Sequence, residues 1–296
     1  MMRGHDLHPV SRGFGAHTGP LPAVDRRPPR RDRWGRTGIT LAWTLFLATV
    51  GVQIAFPLTG GGNLALTVAS VSLLTAATLT HVIVTRGYLS ASAVVVVVGG
   101  GGLVAEAVGI RTGFPFGTYD YTDGLGLTIL GVPVLVSMAW IMMAWPALVV
   151  ARRLAGSHGR LTTSIVGACA LTAWDVFLDP QMVDQGNWEW RYPTPSLPGV
   201  SGIPLTNFAG WLVVSFVMMA ILDRVIGGAR AATTESRTGG DCLPIAIYLW
   251  TYFSSVLAHL AFFGRPPVAL TGGILMGAIA IPLVVVLVRQ VADARR

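Results

Sequence analysis

Lysine is absent from this chain, and all 21 of its basic residues are arginine. That excludes a retinal-type Schiff base and a lysine nucleophile. Charge of either sign is scarce, at 12% of 296 residues, about half the share usual in a soluble domain. Cysteine is nearly missing as well. Cys169 and Cys242 both fall in or beside apolar segments, so buried thiols are expected rather than a disulfide framework. No redox or nucleotide-binding fingerprint stands in the sequence, and no cofactor or metal is expected.

What is present is overwhelmingly apolar: 52% of residues are hydrophobic, with a mean hydropathy of +0.62. Runs near the ~20 residues needed to cross a bilayer recur along the chain. The expected fold is an all-α polytopic membrane bundle of eight spans, at 37–57, 64–85, 88–110, 130–150, 161–179, 204–225, 243–263 and 268–288. The third holds Gly99 to Gly102, the mark of a closely packed helix or a local kink. Residues 1–36 are rich in Arg, Pro and Gly and are expected to be a disordered tail, not a signal peptide. The membrane domain then runs 37–289, with a short tail at 290–296.

Arginine placement orients the drawing. With eight spans, every arginine except Arg111, Arg191 and Arg265 falls on the side of the termini. The positive-inside rule then puts both termini in the cytoplasm of a cell-membrane protein. A seven-span drawing would put Arg289, Arg295 and Arg296 outside. The net charge of +7 is explained by this topology, and no nucleic-acid partner is expected.

The opposite side collects the unusual residues. Glu106 lies near the outer end of the third span, and Asp175 and Asp179 are expected to end the fifth before Pro180. Asn207 and Trp211 open the sixth, and His259 sits near the outer end of the seventh. Chain order scatters these groups, yet the topology brings them to one membrane level. Asp175 and Asp179 stand at i and i+4 on one helix face. Two carboxyls so close in apolar surroundings cannot both ionise, which leaves an acid beside a carboxylate. Simpler readings stand alongside: Arg111 pairing with Glu106 or Asp175, Asn207 capping its helix, His259 held within the bundle. The aromatics Tyr119, Tyr121, Trp174, Trp188, Trp190 and Trp211 suit either an interfacial belt or a cation-stabilising pocket.

These motifs carry a resemblance. Thr112-Gly-Phe-Pro-Phe-Gly-Thr-Tyr119-Asp-Tyr121-Thr, Asp175-x-x-Leu-Asp179-Pro180, Trp188-x-Trp190 and Gly202-Ile-Pro-Leu-Thr-Asn207-Phe-x-Gly-Trp211 closely resemble the carotenoid biosynthesis membrane proteins. That family includes carotenoid 1',2'-hydratases and bisanhydrobacterioruberin hydratases. Gly199, Val200 and Ser201 stand where the family usually carries an aromatic residue, and the run Pro193 to Pro198 is also unusual. The resemblance implies addition of water to the terminal double bond of an acyclic carotenoid dissolved in the bilayer. It also makes other membrane enzymes of the pathway candidate partners.

Such a reaction needs a neutral acid, a group that orients water, and aromatic faces that tolerate positive charge. Asp175 and Asp179 are the candidates for the first two roles, with Glu106 and Asn207 as helpers. The aromatics and His259 are candidates for binding substrate. Two other classes remain open: an intramembrane prenyltransferase, from the look of Asp175-x-x-x-Asp179, and a proton-coupled transporter. The first lacks a second Asp-rich motif and the second lacks an inverted repeat.

Overall fold

The computed structural model describes residues 30–227 and 240–295, and among them eight helices are long and apolar enough to cross a membrane. They are α1 (Arg30–Leu58), α2 (Leu64–Arg86), α3 (Tyr88–Thr112), α4 (Val134–Ala155), α5 (Arg160–Asp184), α6 (Leu205–Gly227), α7 (Cys242–Ala261) and α8 (Pro266–Asp293). The expected tail at 1–36 therefore lies mostly outside the described residues. Cys169 is half-buried and Cys242 is exposed, so only the first fits the expectation of buried thiols. Cys242 stands at the first residue of α7, where the helix has only begun to enter the bundle.

Helix α4 is the axis of the bundle. It is buried over most of its length and packs against α2, α5 and α7, while α1 lies against α2 and α8 against α7 and α5. A polar rung ties α2 to α4. Thr75 and Thr78, on one face of α2, donate to the carbonyls of Met138 and Met142, each at 3.0 Å. Pro146 lies inside α4 and brings no N–H for the carbonyl four residues back. That carbonyl belongs to Met142, and the Thr78 hydroxyl takes the place of the missing donor. With no water in the hydrocarbon layer, such substitution is how a proline is tolerated in a spanning helix.

The glycine run of α3 is closely packed and interrupts the regular α-helix. Residues Val95–Gly100 form a π-helical turn, and a Cβ on Gly99 would come within 2.7 Å of the Ile141 side chain. Gly102, one turn on, faces the indole of Trp140. The small residues thus let α3 approach α4 at the level where the site begins.

The fifth span departs from expectation. Pro180 does not end it: α5 runs on to Asp184. Asp179 therefore sits about 7 Å of helix rise below the end, inside the bundle rather than at its rim. Proline forfeits only one backbone bond, and the neighbouring helices hold the rest of the segment in place.

Two connections cap this end of the bundle. Strand β1 (Tyr119–Tyr121), after α3, pairs antiparallel with β4 (Trp188–Trp190), after α5. A smaller hairpin joins β2 (Thr128–Ile129) to β3 (Val132–Pro133) ahead of α4. The ion pairs Arg152–Asp223 and Arg86–Asp241 lie at the other end.

Candidate active site

The pairing of β1 with β4 builds the roof. Tyr119 stands opposite Trp190 and Tyr121 opposite Trp188. Because side chains alternate across a strand, these four rings share the inward face, while Asp120 and Glu189 point to solvent. Tyr119 stacks on Trp190 at a centroid distance of 5.5 Å, and Trp190 donates from Nε1 to the Phe116 carbonyl at 3.0 Å. Phe116 is wedged between α3 and α6. A Cβ on Gly109 would reach its ring at 2.6 Å, and one on Gly210 at 2.8 Å.

Beneath the roof lie the carboxyls, all nearly inaccessible to solvent. Glu106 on α3 accepts from the Tyr119 hydroxyl and, at 2.8 Å, from the Tyr121 hydroxyl. Burial, then the adjacent Glu106 carboxyl, pushes both phenols well above their ordinary range, so both remain donors. Glu106 is not paired with Arg111. Five residues apart on a helix the two point to different sides, and Arg111 donates to its own helix at the Ala107 carbonyl.

Asp175 and Asp179 stand one turn apart on one face of α5, and both are buried. Asn207, the third residue of α6, does not cap its helix. Its Nδ2 donates to Asp179 Oδ2 and lies 3.4 Å from Asp175 Oδ2. One amide thus fixes the pair from the facing helix, while Arg111 has no part in it.

These groups line one small cavity with Trp188, Trp190, Trp211, Val136, Trp140 and Leu178. The space open to the centre of a water molecule is about 20 Å³, room for about one water. Trp188 contributes a buried Nε1 that has no hydrogen-bond partner among the described residues. Trp140 stacks on Trp211 at 3.8 Å between centroids, and Phe116 stacks on the same indole at 4.5 Å.

Of the residues expected from sequence, nine meet here: Glu106, Tyr119, Tyr121, Asp175, Asp179, Trp188, Trp190, Asn207 and Trp211. Two do not. Trp174 packs edge-on against Trp140 but lines a neighbouring cavity, and His259 lines that same second cavity. Trp140 and Phe116 were not among the expected residues. Phe116 lies inside the quoted motif between Thr112 and Thr122, whereas Trp140 sits in an uninterrupted apolar run that gives no signal.

The fold and the pocket together define a multi-pass helical membrane protein with a pair of buried carboxyls under aromatic rings. Over residues 62–279 the chain matches the carotenoid biosynthesis protein family, and it belongs to that family. It is 31% identical over 121 residues to the bisanhydrobacterioruberin hydratase of Haloarcula japonica, a stretch covering 40% of each chain. This chain thus spans well under half of that relative's length. No solved structure matches.

Proposed function

We propose that the protein is a carotenoid hydratase, adding water to the terminal double bond of an acyclic carotenoid end by acid catalysis. The observation that carries this reading is the Asp175–Asp179 pair, two buried carboxyls on one helix face that share the Asn207 amide. Membership of the carotenoid biosynthesis family and the similarity to a hydratase supply the substrate class.

Hydration of a trisubstituted alkene begins with a proton on its less substituted carbon. The carboxylic acid of the pair gives that proton, and the alkene π electrons form the new C–H bond. A tertiary cation results, with the acid left as a carboxylate. Water attacks the cation through an oxygen lone pair and forms the C–O bond. The excess proton passes to a carboxylate of the pair, which restores the acid. No electron leaves the system, so the reaction needs no oxidant.

Each part of the pocket has a place in this sequence. The indoles of Trp140 and Trp190 line the pocket and offer negative π density to the cation, and Trp211, stacked with Trp140 and Phe116, holds them in place. The unpartnered Trp188 Nε1 and the cavity for about one water suit a single nucleophile held ready. Glu106, gripped by two phenols, lines the same pocket as the pair in a fixed position. A preorganised environment of this kind costs no rearrangement as charge develops.

The test is expression in a bacterium that makes lycopene, followed by mass analysis of the pigments. The expected product is heavier by one or two waters with an unchanged polyene absorption, because the terminal double bond is insulated from the conjugated chain. A product short of hydrogen, or longer by a prenyl unit, would overturn the reading.

A further inference from the structure

Across Leu178 from the acid pocket lies a second and larger cavity of about 160 Å³, bounded by α1, α2, α4, α5 and α7. Helix α5 serves both. Asp175 and Asp179 face the acid pocket from one stripe, and Trp174 and Gln181 face the second cavity from the stripe beside it, while Leu178 lines both. The second cavity is lined by polar side chains, Gln53, Ser70, Gln181, Ser254, Ser255 and His259, interleaved with apolar ones that include Phe56, Leu74, Met142 and Trp174. No charged side chain is among the described residues that line it.

One group in this cavity has an unmet need. His259 is 1% exposed, and its Nδ1 lies 3.0 Å from the Ser255 carbonyl. A carbonyl can only accept, so Nδ1 carries the proton and Nε2 is left as a bare acceptor. That Nε2 is buried and has no hydrogen-bond donor among the described residues, the Phe177 carbonyl near the ring being itself an acceptor. A buried acceptor without a donor is costly, and it marks a place for an O–H or N–H brought by something else. Gln53 is not free to supply it, being committed to Trp250 and Ser70 at 2.7 and 3.1 Å.

We propose that this cavity binds the hydroxyl-bearing end of an acyclic isoprenoid, with the alcohol O–H donating to His259 Nε2. The lack of lining charge selects a neutral ligand, since an ion would be desolvated there without a partner. The volume exceeds what one water needs by about tenfold, and the apolar side chains of the lining would be poorly satisfied by water alone. The hydroxyl follows from the bare acceptor. The isoprenoid identity rests on the hydratase reading, in which a hydroxyl-bearing end is what the neighbouring pocket makes. An end that has reacted then has a site of its own one residue stripe away.

The test is binding without turnover, on the full-length protein in lipid nanodiscs. Trp174 lines the cavity, so tryptophan fluorescence reports occupancy. The probes are geranylgeraniol and its methyl ether, which has the same chain but no donor. The alcohol is expected to bind about tenfold more tightly, the worth of one buried hydrogen bond. His259→Phe should abolish that preference, and His259→Gln, which keeps an acceptor, should retain part of it. Val71→Phe, which fills the cavity from α2, should weaken both probes alike and guards against a His259 variant that fails to fold. Asp179→Asn should leave the alcohol preference intact. Equal affinity for the two probes, a preference that survives His259→Phe, or binding of neither probe would overturn the proposal. Failure of the hydratase reading would appear instead as unchanged pigment mass beside an intact alcohol preference.

Discussion

Asn207 Nδ2 on α6 donates to Asp179 Oδ2 on α5, and the same amide lies 3.4 Å from Asp175 Oδ2. One neutral donor therefore holds two carboxyls that repel each other when both are ionised. A cation in the same place would ionise both and remove the acid. An amide brings no such charge. In the proposed reaction, Asn rather than Arg or Lys at this position would keep a proton donor in the pocket.

The first prediction follows directly. Asp175→Asn and Asp179→Asn preserve size and remove the acid, and each should lower hydration by about 10²–10⁴-fold, the usual contribution of a general acid or base. Protein should still accumulate in the membrane. Asp120→Asn and Asp184→Asn, in the cap and at the end of α5, serve as controls with little effect. Pigment conversion per amount of immunodetected protein is the measurement. If both Asn variants hydrated at near-normal rates, the pair would be structural and Glu106 would become the leading acid.

Glu106 gives the second. Its carboxyl accepts from two phenols, so Glu106→Leu strands two buried hydroxyls and should destabilise the protein by about 2–6 kcal/mol, at about 1–3 kcal/mol for each unsatisfied group. Glu106→Gln keeps an acceptor and should fold, with a much smaller loss in thermal stability. If its role is electrostatic, the Gln variant should nonetheless lose hydration activity. Full activity in the Gln variant would reduce Glu106 to a support for the cap.

Much of this site was legible in the sequence, and the reasons differ by residue. Glu106, Asp175, Asp179 and Asn207 stand out because polar groups in apolar helices are expensive, and the spacing of spans brings them to one depth. The end of α5 was not legible, because Pro180 reads as a stop in water while packing within the bundle carries the helix four residues past it. The tyrosine partners of Glu106 were not legible for a related reason. Arg111 is near in sequence, but tyrosines from the cap approach from the side that faces inward. Trp140 gave no signal, since a tryptophan in an apolar run looks like any packing residue until Trp211 is seen stacked on it at 3.8 Å. His259 was placed at the right depth but one helix stripe away from the acids, a distinction that needs the rotation of each helix.

The third prediction concerns the clamp on Phe116. A methyl group on Gly109 or Gly210 would meet its ring at 2.6 or 2.8 Å. The ring is held from both sides and stacks on Trp211, so it cannot yield without tilting the roof. Gly109→Ala and Gly210→Ala should each cost about 1–3 kcal/mol of stability, as overpacking does, and should depress hydration. Gly101→Ala, where the nearest atom would lie at 3.9 Å, should be nearly silent. Thermal unfolding in detergent separates the two outcomes.

Orientation gives the fourth. The eight helices put the two ends of the bundle on opposite faces of the membrane, and the arginines cluster away from the site. We propose that the acid pocket therefore opens toward the outer leaflet. Reporter fusions after Arg153 and after Arg296 should both read as cytoplasmic, and a fusion near Trp188 should read as external. A cytoplasmic signal at Trp188 would move the pocket to the inner leaflet.

The last prediction tests how a proline is accommodated at the centre of the bundle. Pro146 leaves the Met142 carbonyl without its in-helix donor, and Thr78 Oγ1 donates to it from α2 at 3.0 Å. Thr78→Val keeps the shape of the side chain and removes the hydroxyl, leaving a buried carbonyl unpaired. The cost should be about 1 kcal/mol, within the range measured for hydrogen bonds between membrane helices. Pro146→Ala restores an N–H that can reach the same carbonyl. In that background the Thr78 hydroxyl is redundant, and Thr78→Val should cost distinctly less. A double-mutant cycle isolates the difference, because any cavity left by removing the buried Pro146 ring is common to both arms. Thermal unfolding of the four proteins in one detergent gives the coupling. Additive effects would show that the worth of the Thr78 hydroxyl does not depend on the proline.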